Sequence, residues 1–448
     1  PLLQKESRTM RFARTLAVMR ATSAPLPGIL SVAPREALPD VLRSDVPGTW
    51  AYDTMSRRVR EEILERVVYG DNANEAWFAD AKPALDALAL ELKNTAETPL
   101  ALLVDDGGAD VAAWNDLLKR HAGETWLSAP WFIAEFYLYR RVASATKWFA
   151  APEGLMPDVF AKAKAAGLAS AAGALEGVAQ RCSSLMKDPN ASELFVSVAL
   201  WGNRMDLSLW PAGANVVDSF SEVLDAAQAQ LLADDTPQAL QLLDALRAQG
   251  GGVVDLVVDN AGFELCTDLL LAAHLLESGA ASQVRLRVKH HPTFVSDALE
   301  QDVDGHISTL AADAAHPAAA ALAAKWRVLR NDGRLVCVND SYWAMPYALW
   351  EMPASLRSEF QATSKLTIVK GDANYRRALG DRAWPLSTPF SDIVSYWPSP
   401  MLCLRTLKAE VGCGMPDSET QRAAAADAQW LTNGRWGVVH FAPKAANV

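Results

Sequence analysis

Two hydrophobic patterns divide the chain near residue 249. Through most of 50–245, apolar residues recur at spacings of three and four, the period of a helix with one buried face. This spacing predicts helices over 57–68, 77–92, 131–148, 165–186 and 219–246, the last broken by a turn signal at 234–237. After the glycine run at 250–252, short β-rich runs alternate with segments long enough for crossover helices. These runs are 253–258, 284–288, 335–338 and 366–369.

The alternation predicts an α/β fold. We expect a doubly wound, mostly parallel sheet with helices on both faces at 249–448, preceded by a helical domain at 46–248. Residues 1–45 are expected to form a disordered or targeting leader, because the first 27 residues carry five basic residues and one acidic residue. The alanine-rich segment 311–324 fits either a crossover helix or a surface insertion.

A carboxylate and an amide stand at the end of the first of these predicted strands. Asp259 and Asn260 follow the apolar run 253–258, and Glu264 lies one turn into the predicted helix 263–276. In an open α/β sheet, ligands bind beyond the carboxyl ends of the strands, and oxygen ligands of this kind suit Mg²⁺ or Mn²⁺. Capping of the following helix is the alternative, since Asp and Asn are both good cap residues.

Three further polar clusters follow in the second half. In the segment KHHPTFVSD at 289–297, Asp297 supplies a second carboxylate, whereas His290 and His291 are adjacent and would point to opposite sides of an extended chain. The turn KGDANYRR at 370–377 follows a predicted strand and combines a glycine with polar groups. Arg405 and Lys408 are three residues apart, the spacing of one helix face, and both phosphate binding and solvent exposure fit them.

Composition narrows the classes of function. The net charge of −11 argues against a nucleic-acid partner, and no run of about 18 apolar residues suggests a membrane span. The five cysteines form no CxxC pair, which predicts reduced thiols and a cytoplasmic location, with an organelle as the alternative because of the basic leader. No glycine-rich loop follows the first predicted strand of the sheet, which argues against S-adenosylmethionine as a cofactor. No part of the pattern specifies an oligomeric state.

Taken together, the clusters resemble a known family. The ordered segments DNAGFELCTDLLLA, FVSDA, KGDANYRRALGDRAW and RTLKAE are similar to the metal-dependent damage-control phosphatases. Arg405 to Lys408 fits the RTxK motif that marks subfamily III, the acidic residue methyltransferase-1 type. The resemblance extends to WAYDTMSR, PWFIAEFYLYRR and LWGNRMDL in the helical half and to WLTNGRWGVVHF near the C-terminal end.

The resemblance implies a role for each matching position. Asp259, Asn260 and Asp297 would bind one divalent cation, either Mn²⁺, Co²⁺ or Mg²⁺. Asp259, Glu264 and Lys408 would act in catalysis, with either Asp259 or a water molecule as the nucleophile. The substrate would be held by Gly371, Asp372, Ala373, Asn374, Tyr375, Arg376, Arg405 and Lys408, with Asn203 and Asp206 reaching the cleft from the helical side.

The implied activity is hydrolysis of small phosphorylated metabolites, with fructose 1-phosphate and related sugar phosphates as substrates. Two alternatives from other classes stand beside it. One is an S-adenosylmethionine-dependent protein-glutamate O-methyltransferase, an activity also attributed to this subfamily. The other is a binding protein that uses the acidic cluster to hold a metal without catalysis.

Overall fold

A computed structural model describes residues 34–150, 158–186, 188, 190–202 and 228–445. The predicted leader up to residue 33, and both Asn203 and Asp206, lie outside the described residues. The helices span Trp50–Asp53, Thr54–Tyr69, Gly70–Asn72, Phe78–Glu91, Val111–Arg120, Trp131–Ala145, Ala161–Leu185, Ala191–Trp201, Thr236–Ala248, Phe263–Glu277, Glu300–Ala311, Pro317–Asn331, Ser341–Ala344, Leu349–Glu351, Ala354–Thr363, Asp372–Leu379, Phe390–Ile393 and Asp417–Ala426. The strands are β1 Leu231–Asp234, β2 Val253–Val257, β3 Gln283–Val288, β4 Leu335–Asn339, β5 Ser364–Lys370, β6 Met401–Thr406 and β7 Gly437–Ala442.

The described strands form one mostly parallel sheet of seven strands. Their order is β1-β7-β6-β5-β2-β3-β4, and only the β6–β7 pair is antiparallel. From β2 the chain first adds β3 and β4 on one side, and then β5 and β6 on the other. The order therefore reverses between β2 and β5, and ligands bind at such a switch point in open α/β sheets.

Side chains of successive strand residues enter two separate cores. Leu256 and Leu402 belong to a core shared with helices Ala161–Leu185 and Phe263–Glu277. Their neighbours Val257 and Cys403 belong to the other core, which includes helix Trp131–Ala145. This alternation is the period of two in a strand, and it places helices on both faces as the sequence predicts. No helix in the described ranges is long and apolar enough to cross a membrane.

The helical prediction for 219–246 is wrong in part, because β1 occupies Leu231–Asp234. This four-residue strand at the sheet edge is too short for its period to be read from the sequence. The turn predicted at 234–237 does separate β1 from helix Thr236–Ala248. The sheet thus takes a strand from before residue 249, and helices from both sides of that predicted boundary pack on it. The boundary itself stays a prediction.

The other predicted elements match the structure closely. All four predicted strands are present as β2, β3, β4 and β5, and the helices predicted at 77–92, 131–148, 165–186 and 263–276 are present with slightly shifted ends. The segment 57–68 is helical from Thr54 to Tyr69, with the wider hydrogen bonding of a π-helix. Helix Pro317–Asn331 covers the C-terminal part of the alanine-rich segment, which supports the crossover reading. The strands β6 and β7 were not predicted.

Candidate functional site

The predicted clusters converge at the carboxyl ends of the parallel strands. Asp259 follows β2, Lys289 follows β3, Gly371 follows β5, and Lys408 lies just beyond β6. Because parallel strands end at the same edge of the sheet, this topology brings together residues that are far apart in sequence. Asp259 and Gly371 lie on the two strands that flank the switch point.

Backbone pairing joins Asp259 to Asp297. Asn260 and Asp297 form an isolated antiparallel bridge, and the Ala298 N–H donates to the Asp259 carbonyl over 2.8 Å. The Ala261 N–H donates to the Ser296 carbonyl over 2.7 Å. The two segments are thereby fixed side by side, and both aspartates are buried, with 6% and 1% of their surfaces exposed.

Burial raises the pKa of Asp259 well above its usual range, and the charges of Asp297 and Glu264 raise it further against the opposing Lys408 and Lys289. The pKa of Asp297 is also raised by burial, although Lys289 opposes this. Two buried carboxylates that are costly to ionise together provide a negative site that a cation would stabilise. Their oxygens, with the Asn260 amide, fit the hard-donor preference of Mg²⁺ and Mn²⁺.

Among the described residues, no group of three or more His, Cys, Asp or Glu side chains is placed to hold a metal ion. A cation at Asp259 and Asp297 would therefore have two carboxylates and one amide from the protein. Mg²⁺ is commonly held in this way, by one or two carboxylates together with substrate phosphate. His290 and His291 form no metal pair, since His290 contacts Asn339 whereas His291 is fully buried beside Thr293.

Asn260 is oriented by its neighbours and does not cap the following helix. That helix has Gly262 at its N-cap position, without a side-chain hydrogen bond. The Asn260 amide instead donates from Nδ2 to Glu264 Oε2 over 2.8 Å, and its Oδ1 accepts from Ser296 Oγ. The capping alternative is therefore wrong, and Glu264 fixes the direction in which Asn260 presents its amide oxygen.

Glu264 is itself held by a buried lysine. Lys370 Nζ lies 3.2 Å from Glu264 Oε1 and 2.9 Å from Asp268 Oδ1, and all three side chains are buried. Burial raises the pKa of Glu264, but the charges of Lys370 and Lys408 outweigh it and leave that pKa lowered. Burial raises the pKa of Asp268 to about 7, with Lys370 opposing the shift. Glu264 is therefore a fixed, ionised carboxylate at neutral pH.

Glycine is required at the start of the 370–377 turn. Gly371 has a φ of 83°, and a Cβ built on it would lie 1.9 Å from Asp259 Oδ2. The Asp259 carboxylate therefore packs directly on the backbone of this turn, which only glycine permits. Helix Asp372–Leu379 begins immediately afterwards.

The RTxK segment is held in place by its first residue, Arg405, which lies in β6 and is fully buried. The helical reading of 405–408 is therefore wrong. Arg405 Nε donates to Asp372 Oδ1 over 2.8 Å, and its Nη2 donates to the Ala409 carbonyl over 3.1 Å. The Lys408 N–H donates to the same Asp372 oxygen over 3.1 Å. Arg405 and Asp372 thus set the backbone from which the Lys408 side chain extends.

Other predicted substrate residues have partners inside the protein. Asn374 Nδ2 donates to the carbonyls of Val258 (3.0 Å) and Lys370 (2.9 Å). Arg376 pairs with Asp381 (2.8 Å) and Glu135 (2.7 Å). The Ala373 and Tyr375 side chains are buried as well. A substrate role for this turn stays a prediction, and these contacts leave its backbone as the part best placed to fill it.

Lys408 differs from the other cations at this edge of the sheet. Its side chain is half-buried, and within the described ranges its ammonium has no ion-pair partner within 4 Å. A Cβ placed on Gly434 would lie 3.5 Å from Lys408 Cε, so the Gly434 backbone supports the lysine stem. The charge of Lys408 lowers the pKa values of both Asp259 and Glu264, which places it on the site. It is thus a cation available for an anionic ligand.

A cleft of about 290 Å³ opens beside this cluster. One wall is formed by Asn260, Glu264 and Ser296, and the opposite wall by helix Ala161–Leu185 with Gly202. This volume is near the lower end of the range for small-molecule sites, so it suits a small metabolite. The predicted Asn203 follows Gly202 in sequence but lies outside the described residues.

Two buried lysines in the site were not predicted from the sequence. Lys370 ends β5 and Lys289 follows β3 directly, so each looked like the first polar residue of a loop. The signal that could have identified them is their place in the sequence, because each lysine stands at the carboxyl end of a strand predicted to be buried on both faces. A lysine there needs a buried carboxylate partner.

Behind the RTxK segment, His440 gives the protein a testable acid sensitivity. His440 stacks on Phe390 (4.9 Å between ring centroids) and on Tyr375 (5.8 Å), and burial lowers its pKa to about 3, with the charge of Arg405 adding to the shift. The unfolded chain, with a histidine pKa near 6.5, binds more protons between pH 6.5 and 3. This histidine therefore destabilises the fold as the pH falls through that window, by about 1.4 kcal/mol per pH unit.

We expect His440→Phe, which keeps the ring stack, to lose about 2 kcal/mol less stability than the wild type between pH 7.5 and 5.0. Urea unfolding at both pH values measures the two losses. Comparing them cancels the groups that the proteins share, including carboxylates whose raised pKa values act in the opposite direction. Equal losses of stability in the two proteins would show that folding does not lower the pKa of His440.

The chain is similar in sequence to known proteins over most of its length. Residues 54–423 match the family model described as the damage-control phosphatase ARMT1-like domain. Relatives named damage-control phosphatase ARMT1 from Danio rerio and Mus musculus are 32% and 30% identical, over 90% of this chain and 97% and 98% of theirs. A solved DUF89 family protein from Pyrococcus horikoshii aligns with a TM-score of 0.40 and 15% identity, over 75% of this chain and 92% of that one.

Proposed function

Because the chain belongs to the ARMT1-like damage-control phosphatase family, we propose that it hydrolyses phosphate monoesters of small metabolites with the help of one Mn²⁺, Co²⁺ or Mg²⁺ ion. The observation that carries the proposal is the pair of buried carboxylates, Asp259 and Asp297, at the switch point of the sheet, with a further cation, Lys408, whose charge lowers the pKa of Asp259. Such a site pairs metal ligands with a separate cation for phosphate. The size of the cleft supports sugar phosphates, including fructose 1-phosphate, as the substrate class.

Phosphoryl transfer is catalysed mainly by positioning and by neutralising charge. Asp259, Asn260 and Asp297 would hold a divalent cation, which would supply Lewis acidity to the phosphate oxygens. Lys408 donates to a second phosphate oxygen and offsets the charge that develops on it. Glu264 orients the Asn260 amide, and its ionised carboxylate beside the cleft is placed to accept a proton. Arg405 and Asp372 act through the backbone of Lys408.

Lys408→Met is the substitution that tests this arrangement. We expect kcat for sugar phosphates to fall by about 10²–10³-fold, because one donor to the transition state is lost. The metal ligands are untouched and a nearby positive charge is removed, so Mn²⁺ should bind at least as tightly as in wild type. Lys365→Met is the matched control, since Lys365 is exposed near the opposite end of β5 and should retain full activity.

The assay is phosphate release from a panel of phosphorylated metabolites, with Mn²⁺, Co²⁺ or Mg²⁺ and with a chelator. Wild-type protein that releases no phosphate with any of these metals contradicts the proposal. Full activity of Lys408→Met removes Lys408 from the phosphate site. A calorimetric titration with S-adenosylmethionine addresses the methyltransferase alternative, and tight binding there would favour it.

A further inference from the structure

Lys289 occupies a position that the proposed chemistry does not use. Its ammonium lies 3.2 Å from Asp297 Oδ2 and donates to Asn374 Oδ1 over 3.1 Å. Only 2% of the Lys289 residue is exposed, so it is buried against one of the two metal-binding carboxylates. Its backbone is fixed too, because the Lys289 N–H donates to the Ala298 carbonyl over 3.0 Å.

The partners of Lys289 hold it in this place. The amide N–H groups of Asn374 donate to the carbonyls of Val258 and Lys370. This orients the Asn374 Oδ1 toward Lys289, from which it accepts a hydrogen bond. Asp297 is fixed by the backbone bridge to Asn260. The ammonium thus lies between two acceptors that cannot easily turn away, and a rotation of Lys289 out of the site would leave both of them buried without it.

The charges of the site explain why a cation is needed there. With a divalent cation bound, Asp259 and Asp297 would both be ionised and would carry two negative charges, and Lys370 is already engaged by Glu264 and Asp268. Among the described residues, Lys289 is the cation in direct contact with the aspartate pair. With Lys289, the pair and a divalent cation carry a net charge of plus one. Without it they would be neutral, and a phosphate dianion would be attracted less.

We propose that Lys289 is a built-in counter-ion of the metal site, which competes with the divalent cation for Asp297 and preserves a net positive charge for the phosphate group. This inference rests on the proposed function, because it assumes that Asp259 and Asp297 bind the cation. Lys289 stabilises the aspartate pair in the metal-free protein. In the metal-bound protein, Lys289 weakens metal binding but strengthens the attraction of the site for phosphate.

The test is Mn²⁺ binding by Lys289→Gln, measured by titration calorimetry without substrate. Glutamine removes the charge but keeps N–H donors for Asp297 and Asn374. We expect Mn²⁺ to bind at least tenfold more tightly, and inorganic phosphate to bind the Mn²⁺-saturated variant at least tenfold more weakly. The metal-free variant should melt at a lower temperature than wild type, and saturating Mn²⁺ should remove most of the difference. Lys289→Met serves as the second neutral variant if the glutamine variant does not fold.

Lys164→Gln is the matched control. Lys164 is also buried, lines the cleft beside the site, and pairs with Asp158 (2.9 Å) and Asp302 (2.7 Å) without contacting Asp259 or Asp297. Its Mn²⁺ affinity should stay within about threefold of wild type. Unchanged or weaker Mn²⁺ binding by the Lys289 variants overturns the inference, as does an equal gain in Lys164→Gln. Wild-type protein that binds no Mn²⁺ overturns the proposed function as well, so the two failures are distinguishable.

Discussion

Replacing Asp259 with asparagine should lower the rate of phosphate release by at least about 10³-fold while leaving the metal-free protein at least as stable as wild type. The loss of activity is expected because Asp259 supplies one of two carboxylates to the proposed cation. The stability is expected because burial and the charges of Asp297 and Glu264 raise the pKa of Asp259. A carboxyl whose pKa is raised by folding destabilises the fold when it is ionised at neutral pH. The neutral amide removes that cost and keeps the shape.

Asp255→Asn is the matched control on the same strand. Asp255 is also fully buried, but it accepts from Arg285 (2.6 Å) and Arg287 (2.8 Å) near the middle of β2. Breaking this buried network should cost about 3–5 kcal/mol of stability and leave kcat per folded molecule near wild type. The two variants should therefore fail in opposite ways, which urea unfolding and phosphate release would measure. Activity retained in Asp259→Asn would remove Asp259 from the metal site.

The sequence was most informative where strands are buried on both faces. Such strands are short apolar runs, and the residues just beyond them enter the crevice of the sheet, so Asp259 could be predicted as a candidate site residue from its position alone. The β6 strand is equally apolar in its first four residues, but Arg405 and Thr406 continue it with polar side chains. Because the apolar run ends at Leu404, nothing in the pattern indicates a strand beyond that residue, and the three-residue spacing of Arg405 and Lys408 suggested a helix face. Only the pairing with β5 and β7 shows that the chain is still extended there.

Residue types alone do not show which cations of the site are available to a ligand and which are paired with carboxylates of the protein. Arg376, Arg405 and Lys408 are all cations near the predicted phosphate. The structure gives Arg376 and Arg405 carboxylate partners, whereas Lys408 has no such partner in the described part of the chain. Among those partners, Glu135 lies on helix Trp131–Ala145, away from Arg376, and Asp372 lies on helix Asp372–Leu379, away from Arg405 on β6. A cation is available to a ligand only when tertiary structure leaves it without a carboxylate, and sequence spacing does not contain that information.

Replacing Gly371 with alanine should also strongly reduce activity. Gly371→Ala places a methyl group where the Asp259 carboxylate packs, with a Cβ–Oδ2 separation of only 1.9 Å before relaxation. Either Asp259 or the turn must move. We expect kcat to fall by at least about 10²-fold, since a displacement of about 1 Å in a catalytic group has that effect. Mn²⁺ affinity should fall in parallel, because the displaced carboxylate is a proposed ligand.

Gly333→Ala separates this clash from the strain of the backbone. Gly333 has a φ of 77°, close to the 83° of Gly371, but a Cβ there would meet no atom within 4 Å. Gly333→Ala should lose about 1–2 kcal/mol of stability, the cost of a left-handed conformation for alanine, and Gly371→Ala should lose at least as much, because its ψ of 172° lies in a region almost confined to glycine. Only Gly371→Ala should also lose activity and Mn²⁺ binding, as measured by phosphate release and calorimetry. Equal activity in the two variants would show that Asp259 does not depend on the backbone of the turn, and the link between the β2 and β5 ends of the site would then be wrong.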